Sequence, residues 1–169
     1  MTDSQDPENN DATGEESLCY NLETLEKYLE TAEQAAADQR LAESVAILRE
    51  AVRRHPDRAL AHYNLGVAIF MMLEADLSHL EIWENLAEQE ELAEECVVAF
   101  QTAIERDPGM SAAYTNLASL LVLRGRTPEA VEFWEKSLEL DPEQPEVRQN
   151  LEIYNPPQEA EESGDEPGA

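Results

Sequence analysis

Three prolines set the plan of this chain. His55-Pro56-Asp57, Asp107-Pro108 and Asp141-Pro142 each close a helical stretch, because proline has no N–H to give the ladder and pushes the residue before it out of helical geometry. From Pro108 to Pro142 the step is 34 residues, and from Pro56 to Pro108 it is 52, or 34 plus 18. A fixed period of this size implies stacked supersecondary units, none of which can bury its apolar face alone.

The stretches between these prolines are helical in pattern. Leu18, Leu22, Leu25, Leu29, Ala32 and Ala36 alternate spacings of four and three, the mark of a one-faced amphipathic helix. No alternating strand pattern of comparable length competes. Only 6 Gly and 3 Phe occur, and the abundance of Glu, Ala and Leu favours helices further. The expected fold class is therefore all-α.

Around the prolines the residues resemble the tetratricopeptide-repeat (TPR) family. Its pattern places an aromatic residue, Leu, a small residue and a second large residue in a first helix, then Ala and an aromatic in a second, then Pro. The third unit reads Tyr114, Leu117, Ala118, Leu121, then Gly125 at the turn, then Ala130, Trp134 and Pro142. Thr127-Pro128 reads as an N-cap followed by proline at the first helical position. The middle unit reads His62, Leu65, Gly66, Ile69, then Cys96, Phe100, Ala103 and Pro108. A first, degenerate unit reads Tyr28, Thr31, Ala32 and Ala35, then Ser44, Leu48, Ala51 and Pro56.

The resemblance implies a right-handed α-α superhelix of antiparallel helix pairs spanning residues 17–154. Its repeats cover about 25–58, 59–110 with the insertion, and 111–144, followed by a solvating cap helix over 145–154. Gly66 and Ala118 are expected to let the helices of a pair approach closely. Cys96 stands where the third unit has Ala130, which suits a small buried hydrophobe better than a reactive thiol.

The formal charge is −27. Residues 1–16 hold six acids and residues 156–169 five, with no Lys or Arg in either, so 16 net negative charges remain on the middle of the chain. Both ends, 1–16 and 155–169, read as disordered acidic tails. This balance disfavours nucleic acid and anionic membranes and favours basic partners. A Lys-poor, acid-rich surface also suits solubility in high salt, and Glu is equally the ordinary filler of solvent faces of helices. Met1 to Asp6 has neither the basic nor the apolar region of a secretory leader, and no window approaches the roughly 18 apolar residues of a span, so cytoplasmic residence is expected. Cys19 and Cys96 are then expected to stay reduced.

No nucleophile–base arrangement, phosphate loop or CxxC pair is present, so the chain reads as non-catalytic and without a cofactor. His55, His62 and His79 lack ligand spacing, and no metal is expected. In a TPR the first helix of each pair lines a concave groove. The resemblance places Tyr63, Asn64, Val67 and Phe70 of the middle unit there, with Thr115, Asn116 and Ser119 of the third. Asn150 of the cap helix and Glu26, Glu30 and Glu33 of the first unit complete the lining.

Asn64, Asn116 and Asn150 share one repeat position. Their amides suit bidentate pairing with an extended peptide, as in the similar asparagine ladder of O-linked N-acetylglucosamine transferase repeats. Equally, asparagine recurs at this position in the family whether or not a peptide binds. The carboxylate clamp of co-chaperone repeats needs cations, but the matching positions hold Leu29, Glu33, Ala112 and Asn116, so a chaperone tail would be left unpaired. The three first-unit glutamates instead favour Lys or Arg.

From Val67 through Ala103 there is no Pro or Gly, so the 18-residue insertion is expected to lengthen both helices of the middle pair into a projecting hairpin. Its turn is expected near Asp76-Leu77-Ser78 or near Ala87–Glu91. Leu73, Leu77, Leu80, Trp83 and Leu86 form an apolar stripe. That stripe either closes the hairpin or packs on the first unit, or it offers Leu77, Leu80, Trp83 and Leu86 to a partner or a second copy of the chain. The expected function is a scaffold that binds a basic peptide segment in its groove; the alternative is an assembly module acting through the hairpin.

Overall fold

The computed structural model describes residues 24–78 and 86–155, which form seven helices. These are α1 (Leu25–Ala37), α2 (Leu41–Arg54), α3 (Ala59–Ser78), α4 (Leu86–Arg106), α5 (Ser111–Leu123), α6 (Thr127–Leu140) and α7 (Pro145–Tyr154). They stack as three antiparallel pairs followed by α7, an all-α helical-repeat solenoid. The tails and residues 79–85, with Leu18, Leu22, Cys19, His79, Leu80 and Trp83, lie outside the described residues.

The pairs share small and large residues at corresponding positions. The repeat places a small residue in the first helix (Ala32, Gly66, Ala118) and a large one in the second (Leu48, Phe100, Trp134), and all six are buried. A Cβ added at Gly66 would stand 2.7 Å from the Phe100 ring, so only glycine admits that ring at its observed position. The position of Ala130 holds Cys96, whose Sγ donates to the Gly66 carbonyl at 3.2 Å. Burial pushes this thiol up to about 12, which removes it from thiolate chemistry. A set of hydrogen bonds ties the middle pair, the third pair and α7 each to the loop before it. His62 Nε2 donates to the Pro56 carbonyl (2.8 Å), Tyr114 Oη to that of Pro108 (3.3 Å), and Arg148 to that of Pro142. The helix-ending prolines thus also supply the acceptors that seat the next helix.

The first and third pairs turn in the same way. Gly125 at φ 72° lets Arg126 N–H reach Leu121 O (2.8 Å) and Gly125 N–H reach Val122 O (2.9 Å). This double bond pattern closes a helix C-terminus around a left-handed residue. Gln39, at φ 63°, does the same with bonds from Arg40 to Ala35 and Gln39 to Ala36. The next helix then starts at Leu41 or Thr127. Arg40 and Arg126 stand at the capping positions without a side-chain cap bond, each paired instead with the acid three residues on, Glu43 and Glu129. Thr127 is therefore the first helical residue, not the cap, and Pro128 follows inside the first turn, where its missing N–H costs nothing.

The middle pair lacks this turn. Leu73 stands where Gly125 and Gln39 stand in the other pairs, and it is helical and buried. With nothing to break it, α3 runs on to 20 residues against 13 for α5, and α4 has 21 against 14 for α6. Seven residues added to each helix are two turns, so the faces stay in register across the insertion. α3 ends at Ser78 and α4 begins at Leu86. Ala87–Glu91 accordingly lie inside α4, not at the turn, because no residue there carries a breaking signal.

Candidate functional site: the groove of the odd-numbered helices

The odd-numbered helices touch one another, α1 against α3 and α3 against α5, and they form the inner row of the solenoid. Their outward faces are partly apolar. Leu60, Met71, Leu123, Ile153 and Tyr154 are between 41% and 60% exposed, large values for side chains of this kind. Two depressions interrupt this row.

The first, of about 310 Å³, lies between α1 and α3 over α2. Leu29, Ala36, Val67 and Met71 give it aliphatic walls, with Glu33 and Asn64 as its polar groups on α1 and α3. The deepest face of α1 is Leu25, Tyr28, Ala32 and Ala35, which meets the core. Leu29 and Ala36 of the sequence stripe instead turn toward this depression. The second, of about 170 Å³, lies where α3, α5, α6 and α7 meet. It is lined by Phe70, Glu74, Ser119, Trp134, Asn150 and Tyr154, among others. The Trp134 and Tyr154 rings are 5.6 Å apart, and Trp134 Nε1 is buried with no hydrogen-bond partner among the described residues.

The asparagine column threads both depressions. Asn64 lines the first and Asn150 the second. Asn116 stands between them, donating to Tyr63 Oη at 3.3 Å. Asn64 donates one N–H to Leu60 O of its own helix at 2.8 Å, which leaves its other N–H and its carbonyl for a ligand. Thr115 is occupied otherwise. It joins Ser137, which is fully buried, and Gln144 in a hydrogen-bonded knot (Thr115–Ser137 2.7 Å, Thr115–Gln144 2.9 Å) that fastens the loop before α7 to the third pair. Ser119 donates to Thr115 O at 3.1 Å and keeps its lone pairs for the second depression. Val67 and Phe70 line the first and second depressions respectively.

Acids predominate on this surface, although α1 also carries the exposed Lys27. Glu30 and Glu33 are exposed on α1, Glu74 on α3, and none has an ion-pair partner among the described residues. Glu26 is exposed in the first turn of α1, where its backbone hydrogen bond and then the Thr24 hydroxyl hold its carboxyl below the usual range. Most arginines are paired with acids elsewhere, whereas Arg58 is close enough to Glu26 to help lower its carboxyl. Arg49 forks onto Glu95 (2.8 and 2.6 Å), and Arg124 reaches both Glu90 and Glu94 of α4. These two bracket the lengthened α4 from the first and the third pair. Of the proposed hairpin patch, Leu80 and Trp83 lie outside the described residues. For Leu77 and Leu86 only the helical backbone is described.

Glu74, Trp134 and Tyr154 were not among the groove residues that the repeat pattern selects. Glu74 is four residues beyond Phe70, so continuing the α3 stripe by one turn would have found it. Tyr154 closes α7, and Trp134 belongs to a second helix, where the pattern reads core only. No cluster of metal-ligating side chains occurs among the described residues, and no helix among them is long and apolar enough to cross a membrane.

The sequence model of the tetratricopeptide repeat matches residues 29–71 and 98–145, more than half of the chain. The chain belongs to the tetratricopeptide-repeat family. The gap in that match falls on the lengthened part of the middle pair. No curated protein sequence matches the chain.

Among solved structures, the first TPR domain of Spaghetti (RPAP3), bound to the HSP90 peptide SRMEEVD, is similar at a TM-score of 0.63 and 14% identity. That match covers 77% of this chain and 89% of that one. MamA matches at 0.63 and 21% identity, covering 78% of this chain and 66% of MamA. Thermobaculum terrenum O-GlcNAc transferase matches at 0.60 and 18%, covering 77% of this chain and 22% of the enzyme. At these identities the likeness establishes the shared TPR fold, and TPR domains are protein-interaction modules.

Proposed function

We propose that this protein is a non-catalytic, cytoplasmic adaptor whose TPR module, residues 17–154, holds a basic segment of another polypeptide along the groove of α1, α3, α5 and α7. The observation that carries this is the charge of the groove. Glu30, Glu33 and Glu74 lie along it with no ion pair among the described residues, whereas the arginines Arg49, Arg124 and Arg126 are committed to acids on the outer helices and turns. A basic segment would relieve that repulsion, and the spare amide groups of Asn64 and Asn150 would pair with its backbone. An acidic C-terminus would meet Leu29, Glu33, Ala112 and Asn116 in place of a cationic clamp, so chaperone tails are not its ligands. Nucleic acid and anionic membranes are repelled by the same field.

Fluorescence anisotropy with labelled extended peptides tests this. A Lys/Arg-containing peptide should bind, its Glu-substituted counterpart should not, and affinity should fall with added salt. The Glu30→Gln/Glu33→Gln double variant should weaken binding several-fold. Equal binding of both peptides, or binding indifferent to salt, contradicts the reading.

A second reading rests on the two extra turns of α3 and α4, which extend the middle pair beyond its neighbours by about 10 Å. There the hairpin, with Leu77, Leu80, Trp83 and Leu86, would contact an assembly partner or a second copy of the chain.

A further inference from the structure

The two depressions of the groove differ in chemistry, and the second is built for a cation. The first has aliphatic walls. The second is lined by three aromatic rings, Phe70, Trp134 and Tyr154, with the Glu74 carboxylate beside them. Aromatic faces attract cations through the ring quadrupole, and a carboxylate without a counter-ion adds to that attraction. The remaining polar atoms point the same way. Ser119 has spent its proton on Thr115 O, so toward a ligand it is an acceptor only. Asn150 contributes a carbonyl as well as its N–H groups, and Glu74 contributes only acceptors. A site so rich in acceptors matches a guanidinium, which has five donors and no acceptor.

The depression, of about 170 Å³, has room for a side-chain head group. The cation nearest in sequence, Arg124 at the end of α5, is held by Glu90 and Glu94 and cannot fill the site from within.

We propose that this depression receives an arginine side chain of the bound segment, with Glu74 as counter-charge and Phe70 and Tyr154 as walls. The proposal rests on the groove-binding reading and assigns one residue of the ligand to one pocket. Both depressions share α3, and their centres are offset by about four or five residues along it and by roughly one helix width across it. That places them about 12 Å apart, or three to four residues of extended chain. The preferred segment thus carries an aliphatic side chain for the first depression three or four positions from its arginine.

Chemical-shift titration of the isotope-labelled full chain tests this with three probes: N-acetyl-arginine amide, N-acetyl-citrulline amide, which is nearly isosteric but uncharged, and N-acetyl-norleucine amide. The arginine probe should move the Trp134 indole N–H and the Asn150 side-chain amide, and bind about two- to fivefold tighter than citrulline. Glu74→Gln should shrink that difference while leaving the spectrum of the free protein otherwise unchanged. Equal affinity for arginine and citrulline overturns the proposal, as does a stronger response of the same signals to norleucine. A basic peptide that shifts Glu30 and Glu33 but not Asn150 or the Trp134 indole overturns the pocket and leaves the groove reading intact. If no groove residue responds to any basic ligand, both fall.

Discussion

The middle and third helix pairs share one register and differ in one decision, whether to turn. In the third, Gly125 adopts the left-handed conformation and ends α5 after 13 residues. In the middle, Leu73 occupies that position, is 8% exposed, and the helix continues for two more turns. The replacement removes the stop signal and adds apolar surface at once. Because the extension comes in whole pairs of turns, the groove face of α3 continues past the normal end of a repeat. That is how Glu74, within the lengthened part of α3, comes to line the second depression. Arg49 and Arg124 then fix the longer α4 between its neighbours.

The contrast breaks most readily at the packing of the small and large residues. Phe100→Ala should lower unfolding free energy by about 3–5 kcal/mol, since the ring is fully buried. Gly66→Ala should cost about 1–3 kcal/mol despite its better helix propensity, because the new Cβ meets the Phe100 ring. Ala118→Gly, at the same position of the third pair, should cost only about 1 kcal/mol. Urea denaturation monitored by circular dichroism checks all three, and a Gly66→Ala protein as stable as wild type would contradict the packing account.

A smaller effect separates the turns of the first and third pairs. Both have a left-handed residue, but only the third uses glycine. Gly125→Ala should therefore destabilise by about 1 kcal/mol, whereas Gln39→Gly should stabilise by up to about 1 kcal/mol. Melting temperatures moving in the same direction would show that the two turns are not equivalent. The smallest effects belong to the brackets on α4. Arg49→Ala and Arg124→Ala should each change global stability by no more than about 1 kcal/mol, as exposed ion pairs do. Amide exchange in the first turns of α4 should quicken measurably in both.

Much of this architecture is legible in the residues. The proline steps, the small–large pairs and the shared position of Asn64, Asn116 and Asn150 all follow from one period, and one period is what a linear sequence displays well. The end of α3 is less legible, because a missing breaker says that a helix continues but not where it stops. Ala87–Glu91 is as helical in composition as its surroundings. What lay beyond reading were contacts across units: the Arg49–Glu95 fork joins residues 46 apart, and the Thr115–Ser137–Gln144 knot joins three elements. Their residue types are ordinary surface choices, and only the superposition of helices brings them together. The second depression is hidden for the same reason, since Trp134 reads as core until Tyr154 and Glu74 are placed beside it.

The central claim is that the inner face of the odd-numbered helices is the binding surface. Hydrogen–deuterium exchange of the full chain, with and without a saturating arginine-containing peptide, tests it most directly. The account predicts slower exchange along α1, α3, α5 and α7, with the outer helices α2, α4 and α6 unchanged. Protection confined to the start of α4 and the segment joining it to α3, with the inner row unaffected, would contradict it and assign binding to the hairpin instead.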